Sequence, residues 1–128
     1  MQRNILLYTL LSMARYTHFF LIEAPPDDLR QGIVNILQSC GLAIAYNTED
    51  YVIAQEQTKT AFAKLVTVEV LIHRSDSDGE RTRLTCVSKN AELPLRQANH
   101  CRDMAQCVFR AFADCTKWRV LESAADYQ

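Results

Sequence analysis

The chain reads as a single α+β domain: one five-stranded antiparallel sheet with two helices on one face, in the order β-α-β-β-β-β-α. Three observations predict this. Two segments, near residues 26–40 and 97–118, carry apolar residues at helical spacing. The segments before and between them are rich in β-branched and aromatic residues and are broken by short polar turns. The helices stand near the ends of the strand run and do not alternate with strands, which favours an antiparallel sheet over parallel βαβ units.

The elements follow in order. Residues 17–24, THFFLIEA, are apolar at both alternating sets of positions, so they read as a strand covered on both faces. In PPDDLRQGIVNILQSCG, Pro25 and Pro26 suit a first helical turn, and Asp27 and Asp28 complement the positive end of the helix dipole. Leu29, Ile33, Ile36, Leu37 and Cys40 form its apolar stripe, and Gly41 supplies a left-handed stop. LAIAY and YVIAQ, joined by NTED, read as a hairpin. After the loop EQTKT comes a long strand, residues 62–74, then the turn SDSDG and a returning strand, ERTRLTCVSKN. Placing Arg74 opposite Glu80 sets Val70 against Leu84 and Val68 against Cys86, matching apolar faces. In the last helix, Cys101, Met104, Ala105, Val108, Ala111, Phe112 and Cys115 share one direction at 100° per residue.

The 128 residues suit one domain, placed at 16–121, with residues 1–15 an N-terminal arm or extension and 122–128 a fraying polar tail. Met13 could be the natural start. The apolar run Ile5–Leu11 is short for a signal peptide and far below the roughly 20 residues of a membrane span. A net charge of −1 without a basic cluster argues against nucleic acid as the partner. Five cysteines, an odd number with no C-x-x-C pair, fit reduced thiols in a cytoplasmic core. Cys40, Cys86, Cys101 and Cys115 are expected inside, and Cys107 partly accessible.

The stretch NHCRDMAQC, residues 99–107, concentrates a histidine, an aspartate and two cysteines. On a helix, His100 and Cys107 lie two turns apart, roughly 10 Å along the axis, too far to share a zinc or a catalytic proton. Asp103 faces Cys107, but a carboxylate beside a thiol raises its pKa. The stretch therefore reads as a helix flank. His18 and His73 read as ordinary strand residues. No nucleophile elbow, P-loop, dinucleotide turn or zinc-protease motif occurs, so no catalytic residue, metal ligand or cofactor is assigned.

Two features point to a binding role. The outer face of the long hairpin sets Leu65, Leu71 and Val87 among Thr67, Arg83, Thr85 and Lys89, a mixture typical of interaction surfaces. The connection before the last helix carries Leu93, Pro94, Leu95 and Arg96, and such loops often serve recognition. The expectation is a non-enzymatic protein-binding or assembly-factor module, with a protein partner or a second copy on that face. The alternative is a binder of small apolar ligands, with a pocket between sheet and last helix lined by Phe20, Ile22, Val68, Met104 and Phe112.

Over residues 16–121, the pattern FFLIEAPPDDLRQGIVNILQSCGLAIAY, DYVIAQ, LVTVEVLI and RTRLTCVSKN, followed by a long helix, resembles helix-grip-like α+β domains. It is also similar to small conserved cyanobacterial proteins with no assigned activity. The resemblance rests on element order and core pattern, so it implies a fold and carries over no site. Some helix-grip domains hold apolar ligands between sheet and long helix.

Overall fold

The computed structural model describes residues 14–57, 65–74, 81–91 and 99–127. The elements are β1 (Ala14–Glu23), α1 (Pro26–Ser39), β2 (Leu42–Asn47), β3 (Tyr51–Glu56), β4 (Thr67–Arg74), β5 (Arg81–Asn90), α2 (His100–Ala113) and β6 (Arg119–Tyr127). The fold is α+β, with an open sheet ordered β2-β3-β4-β5-β1-β6. Every neighbouring pair is antiparallel.

α1 begins as its sequence dictates. The Pro25 carbonyl accepts from the amides of Asp28 and Leu29, and both aspartates lie in the first turn. It ends at Gly41, whose φ of +82° is the left-handed conformation that glycine adopts without steric cost. α2 is shorter than its apolar pattern, because each end is fixed by a specific contact. Asn99 caps it by accepting from the Arg102 amide at 3.0 Å, and donates to the Tyr16 hydroxyl at 2.6 Å. At the other end the buried Trp118 indole donates to the Phe112 carbonyl at 3.1 Å, which turns the chain back towards the sheet.

The inward residues of β1 (Ala14, Tyr16, Phe20 and Ile22) form one core cluster with Val52, Val68, Val70, Leu84 and Cys86 from the other strands. Leu29, Ile33 and Leu37 of α1 and Cys101, Ala105, Val108 and Phe112 of α2 join the same cluster, so both helices cover one face. Phe20, Phe112 and Trp118 run through it as a seam of rings, with centroids 5.1 and 5.7 Å apart.

Four expectations need correction. The sheet has six strands, because residues assigned to a polar tail continue from Arg119 as β6 and pair with β1. An edge strand is held by main-chain hydrogen bonds and needs no apolar alternation, so ESAAD gives no strand signal. The β4–β5 register is displaced by two residues, with Val70 opposite Cys86 and Ile72 opposite Leu84. A shift of two preserves every face, so matching apolar sides cannot detect it. β1 is covered on one face only, since its outward Phe19 is 42% exposed. Finally, Cys86 and Cys101 are buried, whereas Cys40 and Cys115 are half-buried and Cys107 is exposed.

Candidate binding face

The face opposite the helices is defined residue by residue through strand register. One cross-strand row runs Asp126, Thr17, Val87, Glu69, Ile53 and Tyr46 from β6 to β2. The next runs Ala124, Phe19, Thr85, Leu71 and Tyr51, and a third runs Glu122, Leu21, Arg83 and His73. Arg15 with Lys89 and Thr67 lies beyond one side, and Arg119, Glu23 and Arg81 beyond the other.

Phe19, Tyr46 and Leu71 are the exposed large hydrophobic residues among those described, at 42%, 51% and 38%, and all three lie on this face. Tyr46 stacks on Tyr51 across the β2–β3 hairpin at 5.3 Å, which extends the apolar band to the sheet's edge. Partial burial, followed by the neighbouring Tyr46 and Glu69, pushes the Tyr51 hydroxyl pKa up. Beside the band lies a hollow of about 770 Å³, lined by Phe19, Leu21, His73, Arg83, Thr85 and Glu122. His73 is fixed there by a 3.0 Å hydrogen bond between its Nε2 and the Thr85 hydroxyl.

Charge on the face is mixed and partly paired within it. Lys89 Nζ lies 3.0 Å from Glu69 Oε1, and Arg81 Nε lies 3.6 Å from Glu23 Oε2. Outside those pairs stand the exposed side chains of Arg15, Arg83, Arg119, Glu122 and Asp126. Both signs are present, on neighbouring strands.

The residues anticipated from sequence divide accordingly. Leu71 and Arg83 are exposed on the face, and Lys89 is there but engaged with Glu69. Val87 points to the same side yet is only 3% exposed, so it supports the face without offering contact area. Leu65 is half-buried just before β4. Leu93, Leu95 and Arg96 lie outside the described residues. Sequence reading missed Phe19 and Leu21, which it placed under cover, and Tyr46 and Tyr51, which it treated only as hairpin residues. The alternation of THFFLIE separates His18, Phe20 and Ile22 from Phe19, Leu21 and Glu23, but both sets are mainly apolar and neither is marked as the open one.

The residues expected to line the alternative pocket all belong to the core cluster, with Met104 only partly buried. Phe20, Ile22, Val68 and Phe112 are buried together in the core, and the rings of His18 and Phe109 meet beside them, tilted, at 4.8 Å. Burial lowers the His18 pKa, which keeps the ring neutral in that seam. His100 has a role the helix-flank reading did not foresee. Its Nε2 lies 2.8 Å from both carboxylate oxygens of the buried Glu56, which also accepts from the Val66 amide at 2.9 Å. This pair anchors the start of α2 to the end of β3, and it joins residues 44 positions apart. Among the described residues no buried side-chain polar atom lacks a partner, and no cluster of three metal-ligating side chains occurs.

No protein-family model matches the chain, and no curated protein matches it. It is similar to a solved structure described as a conserved protein from Geobacillus kaustophilus, at 14% identity over 76% of this chain and 91% of that one. The TM-score is 0.39, too low to carry an argument about function. No helix among the described residues is long and apolar enough to cross a membrane.

Proposed function

We propose that the protein is a non-enzymatic binding module that works through the open face of its sheet, and that the occupant of this face is a second copy of the chain. The observation that carries the reading is the confinement of Phe19, Tyr46 and Leu71, the exposed large hydrophobics among the described residues, to one face. Scattered apolar residues are normal on any surface, but a contiguous band rimmed by charge marks an interaction site.

Two arguments favour a second copy. The first is area. Strands about 4.8 Å apart and side-chain rows about 6.7 Å apart give this six-stranded face roughly 700 Å² of projected area, against about 800 Å² per partner in a stable interface. The second is charge. A partner of one sign would leave two or three of the five charges Arg15, Arg83, Arg119, Glu122 and Asp126 opposed. An isologous pairing brings the same surface to itself and can set Arg83 near Glu122 of the other copy. Two twisted sheets stack face to face at about 30°, a geometry that interdigitates rows of this kind.

The test places p-benzoylphenylalanine at Phe19 and irradiates the purified chain. A product of twice the chain mass, with crosslinks mapping to β1, β4 or β5, supports the reading. Crosslinks confined to residues 1–13 of the same chain, or to a co-purified small molecule, would overturn it. The hollow beside Phe19 has a volume within the range of small-molecule sites, so native mass spectrometry of the untreated protein accompanies the experiment.

A further inference from the structure

Away from the open sheet face, two thiols meet across the helix layer. Cys40 caps the C-terminal end of α1, and Cys107 lies in the middle of α2. Their sulfurs are 3.5 Å apart, with the Cys107 thiol directed at Cys40 Sγ, although the residues are 67 positions apart in sequence. Cys107 is exposed and Cys40 is half-buried. A small-molecule reagent can therefore reach one sulfur while the other waits behind it. Closing to a disulfide needs the sulfurs to approach by about 1.5 Å, within reach of side-chain rotation.

We propose that Cys40 and Cys107 are a reversible dithiol pair, oxidised by exchange with a small-molecule disulfide of the glutathione type and fastening the end of α1 to α2. In the first step the Cys107 thiolate attacks one sulfur of that disulfide. The disulfide bond breaks, one small thiol leaves, and Cys107 carries the other half as a mixed disulfide. In the second step Cys40 gives its proton to solvent and attacks Cys107 Sγ, expelling the second small thiol. Two protein thiols are oxidised and one small disulfide is reduced to two thiols, so electrons and atoms balance. The order of events follows from access. It also agrees with the Cys40 thiol, which is pushed up to about 11 by burial first and by the adjacent Cys107 second, and is the poorer initial nucleophile. Cys86, pushed up to about 12 by its burial first and by the neighbouring Cys40 second, is closed to a reagent at 2% exposure and takes no part in the first step.

The test equilibrates the purified full chain in glutathione buffers of graded oxidised-to-reduced ratio, quenches with acid, and reads intact and tryptic masses. Trypsin places the five cysteines in separate peptides, 31–59, 84–89, 97–102, 103–110 and 111–117, so the linkage is assigned directly. The expected result is a loss of 2 Da with peptides 31–59 and 103–110 joined, reversed by reduced glutathione and absent in Cys40→Ser. In Cys40→Ser the glutathione adduct should instead accumulate on peptide 103–110. A stable adduct on Cys107 in the unsubstituted chain, a link to peptide 84–89 or 111–117, or no oxidation at any ratio would overturn the proposal.

Discussion

At the scale of single residues, Gly32 shows how one absent atom shapes the packing. A Cβ at this position would stand 2.5 Å from a ring carbon of Trp118, because the six-membered ring of the indole packs directly against α1 here. Alanine would gain about 1 kcal/mol of helix propensity, but the buried ring, held by the Phe112 carbonyl, would have to shift. Gly32→Ala is expected to cost a net 1–3 kcal/mol, roughly the usual penalty of overpacking. Trp118 is the only tryptophan, so a lowered urea midpoint with a red-shifted native emission maximum would confirm the cause. An unchanged midpoint would show that the indole has room.

His18 makes a pH-dependent contribution whose sign can be stated. Its ring is buried beside Phe20 and Phe109, and burial holds its pKa below the ordinary 6.5. Below about pH 6.5 the unfolded chain takes up a proton that the folded chain resists. The group's contribution is therefore intact above that value and is lost progressively as pH falls from 6.5 towards the lowered folded pKa. The urea midpoint should drop between pH 7.5 and 5.5, and His18→Gln should flatten that change.

At the scale of elements, α1 was legible because every signal agreed: prolines, then acids, then stripe, then glycine. α2 was legible in its stripe but not in its length. Its limits depend on Asn99 reaching Tyr16 and on Trp118 reaching back to Phe112, contacts that periodicity does not encode. Asn99→Ala removes the helix cap and leaves the buried Tyr16 hydroxyl without this donor. A loss of about 2–3 kcal/mol is expected, measurable as a shift in the denaturant midpoint with little change in slope. β6 was not legible, since its exposed ESAAD positions carry no pattern and its stability comes from the edge of β1. Removing residues 119–128 should uncover that edge, so the shortened chain is expected to aggregate at concentrations the full chain tolerates, as seen by light scattering. Equal solubility would mean that β6 is dispensable.

At the scale of the whole molecule, the sequence indicated that an outer sheet face would carry apolar residues, but it named only part of the set. Leu71 and Arg83 are on the face because the parity of β4 and β5 survives a two-residue error in register. Phe19 and Leu21 were misplaced because an uninterrupted apolar run hides which of its two sides is covered. Tyr46 and Tyr51 join the band only because the sheet order sets the β2–β3 hairpin beside β4. The binding account rests on this assembled face, and Leu71, exposed near its middle, is the residue on which it is most sensitive.

Sedimentation equilibrium of the full chain against Leu71→Asp, at matched concentrations under reducing conditions, tests the central claim most directly. The account predicts a dimer for the unsubstituted chain. Burying an aspartate in the apolar band should cost at least about 2 kcal/mol, weakening dimerisation roughly thirtyfold or more while the far-ultraviolet circular dichroism stays unchanged. An unsubstituted chain that remains monomeric at high micromolar concentration, or a dimer indifferent to Leu71→Asp, would contradict it.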